Sequence, residues 1–332
     1  MSHKTSLACA GAFAAAAILA GIGPASSHTV IGQRIFPATL TIDDPGTDDE
    51  LGLPTMNYTY NADGSQTYSF NIFYGKRITA DLEVYIDTSY LHSVGPRSNG
   101  WGGIETAVKD QVMVNTEHEF VVSLAVAEEW GASGTPGIAN QYTFITPKAY
   151  IGKGFGDLEN EWLRPIAVTG EVGYVVPTVP NIVTGTDSFG NVLFQQNPTT
   201  LYWGGTIQYS LQYMNAYVHE IDGPEILRHL VVDVEAQLST PVSNIGPSMI
   251  NNVPGTHETI GTVGPGLYYL AHDYELGIYG AIPINKGSGK HPGVFAIVDF
   301  FLDDLFPNTL GKPIFGPAES TAFDPWHAFN NK

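Results

Sequence analysis

The residues that could do chemistry in this chain lie on one side of its extended stretches. Between Ala80 and Leu91, one face carries Asp81, Glu83, Tyr85, Asp87 and Ser89, and the other Leu82, Val84, Ile86, Thr88 and Tyr90. Side chains alternate faces along a strand, so this period of two gathers the carboxylates and separates them from the aliphatic groups. The same alternation along the chain gives an inward-charge set of Asp81, Glu83, Asp87, Glu105, Lys109, Lys148, Glu171, Asp233, Glu235 and Asp299. Acids outnumber Lys109 and Lys148, so a wet passage lined by these groups would favour cations over anions. Alternatively, the charges pair across neighbouring strands and, with Tyr85, Tyr150, Tyr202 and Tyr279, fill the enclosed space.

Other chemistry finds little support. There is no Gly-x-Ser-x-Gly elbow and no His-Glu-x-x-His. Gly287-Ser288-Gly289-Lys290 lacks the upstream glycine and following Ser or Thr of a phosphate loop. His118, His219, His229, His257, His272 and His291 fall mostly at strand ends or in loops. A lipid-hydrolysing Ser–His pair would need hydrogen-bond reach between strands, which spacing alone does not give. The run from Asp43 to Glu50 fits no EF-hand spacing and reads as a solvated turn. No catalytic residue, metal site or cofactor is expected.

The positioning elements are strands. Thr55 to Tyr60 runs into a turn with Asp63-Gly64 at its centre, Gln66 to Tyr74 returns, and Ala80 to Leu91 goes out again. Nine more strands follow at about 103–115, 119–130, 141–154, 163–177, 201–213, 229–240, 258–270, 274–285 and 292–302. Alternation this regular has two solutions: a soluble sheet with its apolar face in a core, or a transmembrane barrel with that face in lipid. Strands of about 11 residues match a tilted bilayer crossing, whereas globular strands run about 5–6. Connections of one parity are mostly tight, and the other parity carries the long ones, including Pro177 to Thr200. Outer-membrane barrels sort their loops in this way. The fold class expected is therefore all-β, an antiparallel up-and-down transmembrane barrel of about twelve strands.

Residues 1–27 supply an address: Lys4, an Ala-rich apolar run from Leu7 to Ile22, then Pro24-Ala25-Ser26-Ser27 before His28. This reads as a cleaved secretory signal peptide. The expected organisation is 1–27 signal peptide, 28–54 periplasmic segment, 55–302 barrel and 303–332 tail. The lone cysteine, Cys9, falls in the removed part, so no disulfide framework is available. The formal net charge of −19 argues against a nucleic-acid partner, which needs a basic face. Outer-membrane lipid and small solutes are the partners expected.

The signal peptide, Arg34-Ile35-Phe36-Pro37-Ala38-Thr39-Leu40, the meander and Asp303-Asp304-Leu305-Phe306-Pro307 together resemble proteobacterial outer-membrane proteins of the meta-pathway-of-phenol-degradation, or transporter-like, group. That resemblance implies a barrel moving small, often hydrophobic or aromatic, compounds, with no catalytic residues to carry over. The chain departs from it at the end, where about 30 residues follow Leu302 instead of a terminal aromatic strand. A closed surface barrel, a lipid hydrolase and a soluble periplasmic β-sandwich are the alternatives.

Overall fold

The computed structural model describes residues 29–94, 98–186, 189–245 and 257–316. The expected signal peptide and the last part of the tail lie outside them. Two short strands open the chain, β1 (Thr29–Ile31) and β2 (Arg34–Phe36), paired as a hairpin around Gly32 at φ +64°. The barrel then runs through β3 (Glu50–Tyr60), β4 (Gln66–Arg77), β5 (Leu82–Val94), β6 (Ser98–Asn115), β7 (Phe120–Trp130), β8 (Phe144–Gly154) and β9 (Ile166–Pro177). A separate hairpin follows, β10 (Asn181–Thr186) and β11 (Val192–Gln196). The wall resumes with β12 (Thr199–Ser210), β13 (Leu230–Ser243), β14 (Ile260–Leu270), β15 (Tyr274–Pro283) and β16 (Gly293–Phe301). Each wall strand pairs antiparallel with its neighbours, β9 with β12 across the hairpin, and β16 pairs with β3 to close a twelve-stranded barrel.

Closure leaves no strand edge, so the wall's backbone groups are paired within the ladder, as hydrocarbon requires. The side chains sort as the alternation predicts. On β12 and β13, Ile207 is 63% exposed while Glu235 beside its neighbour is fully enclosed. Ile86, Val126, Val234 and Ile278 likewise face out. Aromatic groups flank this apolar belt at both rims. Tyr58 packs on Tyr68 and Tyr90 on Trp101 at one, and Tyr269 on Tyr274 at the other. Such girdles sit at headgroup level, and the molecule is a transmembrane β-barrel.

Both ends of the wall chain, Glu50 and Phe301, emerge at one rim, the terminus rim; the other is the loop rim. The terminus rim carries tight turns at 78–81, 116–119 and 271–273 but also longer connections at 155–165 and 211–229, which hold short helical turns. The loop rim carries 61–65, 131–143, 178–198 and 284–292. The expected sorting of loops is thus weaker than the sequence suggested, because β5 and β6 extend to Val94 and Ser98 and absorb a connection read as long.

Two expected boundaries are corrected. The first wall strand begins at Glu50, with a register shift between Gly52 and Thr55 that absorbs Pro54, so the barrel does not start at Thr55. Residues 29–49 are not a free periplasmic segment: Phe36, Ile42, Asp48 and Asp49 are almost fully buried, inside the barrel. The described start of the tail folds back on the terminus rim, where Ile314 N–H donates to the Arg77 carbonyl at 3.2 Å and Phe315 N–H to that of Ile78 at 2.8 Å.

Candidate functional site

The register decides which inward groups meet. Glu83 lies opposite Lys109, which pairs opposite charges, whereas Asp87 lies opposite Glu105 and Glu275 opposite Asp299. The like pairs are relieved by third partners where these exist. Asn71 Nδ2 donates to Asp87 at 2.7 Å, and Glu105 accepts from Tyr85 OH at 2.9 Å and Lys148 Nζ at 3.0 Å. Glu171 accepts from Tyr202 OH at 2.9 Å. Asp81 is off the strand, in the turn before Leu82, where partial burial and then nearby Asp110 raise its pKa.

Residues 29–49 run through the space that these side chains enclose. At the terminus rim Arg34, buried under Tyr213 with 3.9 Å to the ring centroid, pairs with Glu119 at 3.2 Å. It also donates to the carbonyls of Pro165, at 3.0 Å, and Arg164. Ile35 packs on Val231, Tyr268 and Leu270, and Ile31 and Phe36 on Val121 and Ala167. Further along, Leu40 N–H donates to Tyr268 OH at 2.8 Å, and the Thr41 amide and hydroxyl donate to Glu235 at 3.0 and 2.6 Å. Gln237 Nε2 donates to the Thr41 carbonyl at 2.6 Å.

The acidic run, expected as a solvated turn, is instead fastened to the opposite wall. Lys109 Nζ lies 3.3 Å from Asp43 Oδ2 and 3.1 Å from Asp44 Oδ1. Ser123 donates to the Pro45 carbonyl, and Asp48 N–H donates to Glu83 at 3.3 Å. Asp49 takes Lys76 at 2.6 Å and Arg77 at 2.9 Å, and Arg77 also reaches Asp303 in the tail at 3.0 Å. Two wall glycines make room for the segment. A Cβ on Gly152 would come within 2.7 Å of Pro45 Cγ, and one on Gly204 within 2.5 Å of Ile42 Cδ1.

The wall is electrically divided. Every Lys and Arg on a barrel strand lies on β4, β6 or β8, at Lys76, Arg77, Lys109, Lys148 and Lys153. The inward charges of β9 and β12–β16 are carboxylates only: Glu171, Asp233, Glu235, Glu275 and Asp299. Both carboxyl oxygens of Asp233 and of Glu275, and Oδ1 of Asp299, lack a hydrogen-bond partner among the described residues. No group of His, Cys, Asp and Glu among those residues could hold a metal ion. Sequence reasoning missed Arg34, Thr41, Arg77 and Glu275. Glycine at an inward strand position, as at 152 and 204, was the available signal for a chain passing close by.

The terminus rim holds three His–carboxylate pairs bridging different segments: His118 with Asp157 at 2.8 Å, His219 with Glu161 at 3.1 Å and His272 with Asp304 at 3.6 Å. The hydrogen bond from His118, with help from Lys153, keeps the Asp157 carboxyl below the usual range.

No protein-family model matches the sequence, and no curated protein matches it. Solved structures similar to this chain are outer-membrane barrels. The NanC porin is 9% identical with a TM-score of 0.44, covering 75% of this chain and 98% of its own. The KdgM porin is 10% identical at 0.41, covering 74% and 98%. The β domain of the Bordetella autotransporter BrkA is 10% identical at 0.41, covering 76% and 98%. Likenesses at this level carry nothing about what the present chain does.

Proposed function

We propose that this chain is an outer-membrane channel for small solutes whose passage is closed by its own residues 29–49. The observation that carries it is the path of that segment, buried and hydrogen-bonded to inward side chains of β4, β5, β6, β7, β13 and β14. Beside the apolar contacts of Ile31, Ile35 and Phe36, its anchors from Thr41 to Asp49 are polar and ionic. Groups of that kind exchange for water when a segment leaves a wet lumen, whereas an apolar core has no such exchange. Nine of the ten inward candidates act as wall: Lys109, Glu83 and Glu235 hold the segment, Glu105, Lys148, Asp87 and Glu171 pair among themselves and their neighbours, and the Asp233 carboxyl and Oδ1 of Asp299 have no hydrogen-bond partner among the described residues. Asp81 belongs to the rim. The loop-rim opening is lined by polar groups, which favours water-soluble cargo over the hydrophobic or aromatic compounds that the family resemblance implies.

The dense filling also supports a second reading, a permanently closed barrel with a structural or surface role. Planar-bilayer recordings separate the two. The intact protein is expected to be nearly silent and a 29–49 deletion to conduct steadily with cation selectivity, since acids then dominate the exposed wall. A deletion that keeps its heat-modifiable mobility on gels but does not conduct refutes the channel.

A further inference from the structure

A cavity of about 320 Å³ opens at the loop rim, between the inward faces of β12–β14 and the connections 61–65 and 284–292. Ligand pockets span roughly 300–1,000 Å³, so this one has the volume for a small solute. In a molecule rich in carboxylates, none of its lining residues is charged. Its polar wall is made of Asn61, Tyr202, Gln237, Ser239, Thr262 and Ser288. We infer that this cavity is a binding site for an uncharged polyhydroxylated solute, of the size of a mono- or disaccharide.

The hydrogen-bonding capacity left over fits hydroxyl groups. Gln237 spends its amide protons on the Thr41 carbonyl and on Tyr202 OH at 3.0 Å, which leaves Oε1 as an acceptor with no protein partner among the described residues. The Ser239 hydroxyl has none there either. Thr262 Oγ1 accepts from Tyr279 OH at 3.2 Å, which leaves its own proton to donate. The cavity thus offers both acceptors and donors, and each solute hydroxyl can serve either. An anion would find no cation among the lining residues, and Glu171 stands behind Tyr202 to repel it. A hydrophobic solute would leave these polar groups desolvated and unpaired.

The floor of the cavity is also the upper contact of the internal segment, because Gln237 holds the Thr41 carbonyl. A solute hydroxyl that accepts from Gln237 Nε2 takes the place of that carbonyl, so occupancy and release of the segment draw on one side chain. This role in transport rests on the proposed channel; binding itself does not. Calorimetric titration of the intact protein with sucrose, in a detergent without a sugar headgroup, tests it. Sucrose is expected to bind saturably and galacturonate and phenol not to. Ser239→Ala and Thr262→Val should each weaken sucrose about threefold or more, the scale of one net hydrogen bond. Gln237→Leu should abolish binding. Absence of saturable sucrose binding, equal binding of galacturonate or phenol, or unchanged affinity in both Ser239→Ala and Thr262→Val overturns the inference. The titration uses the closed protein, so its outcome is independent of whether the deletion conducts.

Discussion

Replacing Lys109 by Met probes the fastening of the internal segment most directly. Lys109 is 1% exposed. Its Nζ sits among Asp43 Oδ2 at 3.3 Å, Asp44 Oδ1 at 3.1 Å and the Asp44 carbonyl at 2.9 Å, with the Tyr150 ring centroid at 4.8 Å. Met keeps the unbranched stem and deletes the charge, and the β6 ladder is untouched because it is made by backbone. Removing one member of a buried ion pair typically costs about 3–5 kcal/mol, since the remaining charge is left uncompensated. The penalty falls on the closed state, where Asp43 and Asp44 are enclosed, and is relieved when the segment moves and water reaches them. The open-to-closed ratio should therefore rise roughly a hundred- to several-thousand-fold at 1.4 kcal/mol per factor of ten. Single-channel open probability reads this ratio. Adding Asp44→Asn to Lys109→Met should lower the open probability part of the way again, because one of the two stranded carboxylates is gone while Asp43 remains; the non-additivity measures the Lys109–Asp44 pair. Should Lys109→Met stay within tenfold of the wild type while the 29–49 deletion conducts freely, the pair does not hold the segment and the electrostatic account of closure fails.

Gly152→Ala places a methyl 2.7 Å from Pro45 Cγ and 3.3 Å from Phe36 Cε1. Overpacking of this kind costs about 1–3 kcal/mol, so openings should become about ten times more frequent or more; an equal destabilisation of the barrel in the deletion background would place the effect on the wall instead. Glu275→Gln removes the charge from a side chain that is fully buried and whose carboxyl oxygens have no partner among the described residues. Its unfolding midpoint in urea should stay level or rise, and a loss of about 1 kcal/mol or more would reveal a hydrogen-bonded carboxylate.

The wall was legible in the sequence because a barrel imposes one rule on every strand. Glu83 in and Ile86 out, Glu235 in and Val234 out follow from a period of two, and long strands follow from bilayer thickness. The segment 29–49 was not legible, because it obeys no period. Its three-residue strands are too short to alternate, and its acids carry the composition of a surface turn. What buries them is a set of bases distant in sequence: Lys76 and Arg77 for Asp49, Lys109 for Asp43 and Asp44. Only closure of the barrel brings those together. Likewise Glu275 alternates inward with Gly277 and Tyr279, but the glycine blurred the polar face of β15.

The division of the wall explains why the segment has the sequence it has. Along 29–49, charge and neutrality fall in separate blocks. Residues 39–42 are uncharged and meet the acidic half, where Leu40 and Thr41 satisfy Tyr268 and Glu235 with amides and a hydroxyl. Residues 43–49 bring the carboxylates and meet the half that holds every strand-borne Lys and Arg. Reversing the two blocks would set carboxylates against Asp233 and Glu235 and leave Lys109 facing neutral groups. A twelve-stranded barrel is too wide to be filled by its own side chains and narrow enough for one chain to occupy. One stretch with its charges in this order therefore closes the lumen in a single orientation and register. The acidic half holds the segment by neutral donors and by the apolar contacts of Ile35, so separation from β13–β16 breaks fewer ionic contacts than separation from β4–β8. In the proposed channel, opening is therefore expected to begin along the acidic side, beneath the uncharged cavity at the loop rim.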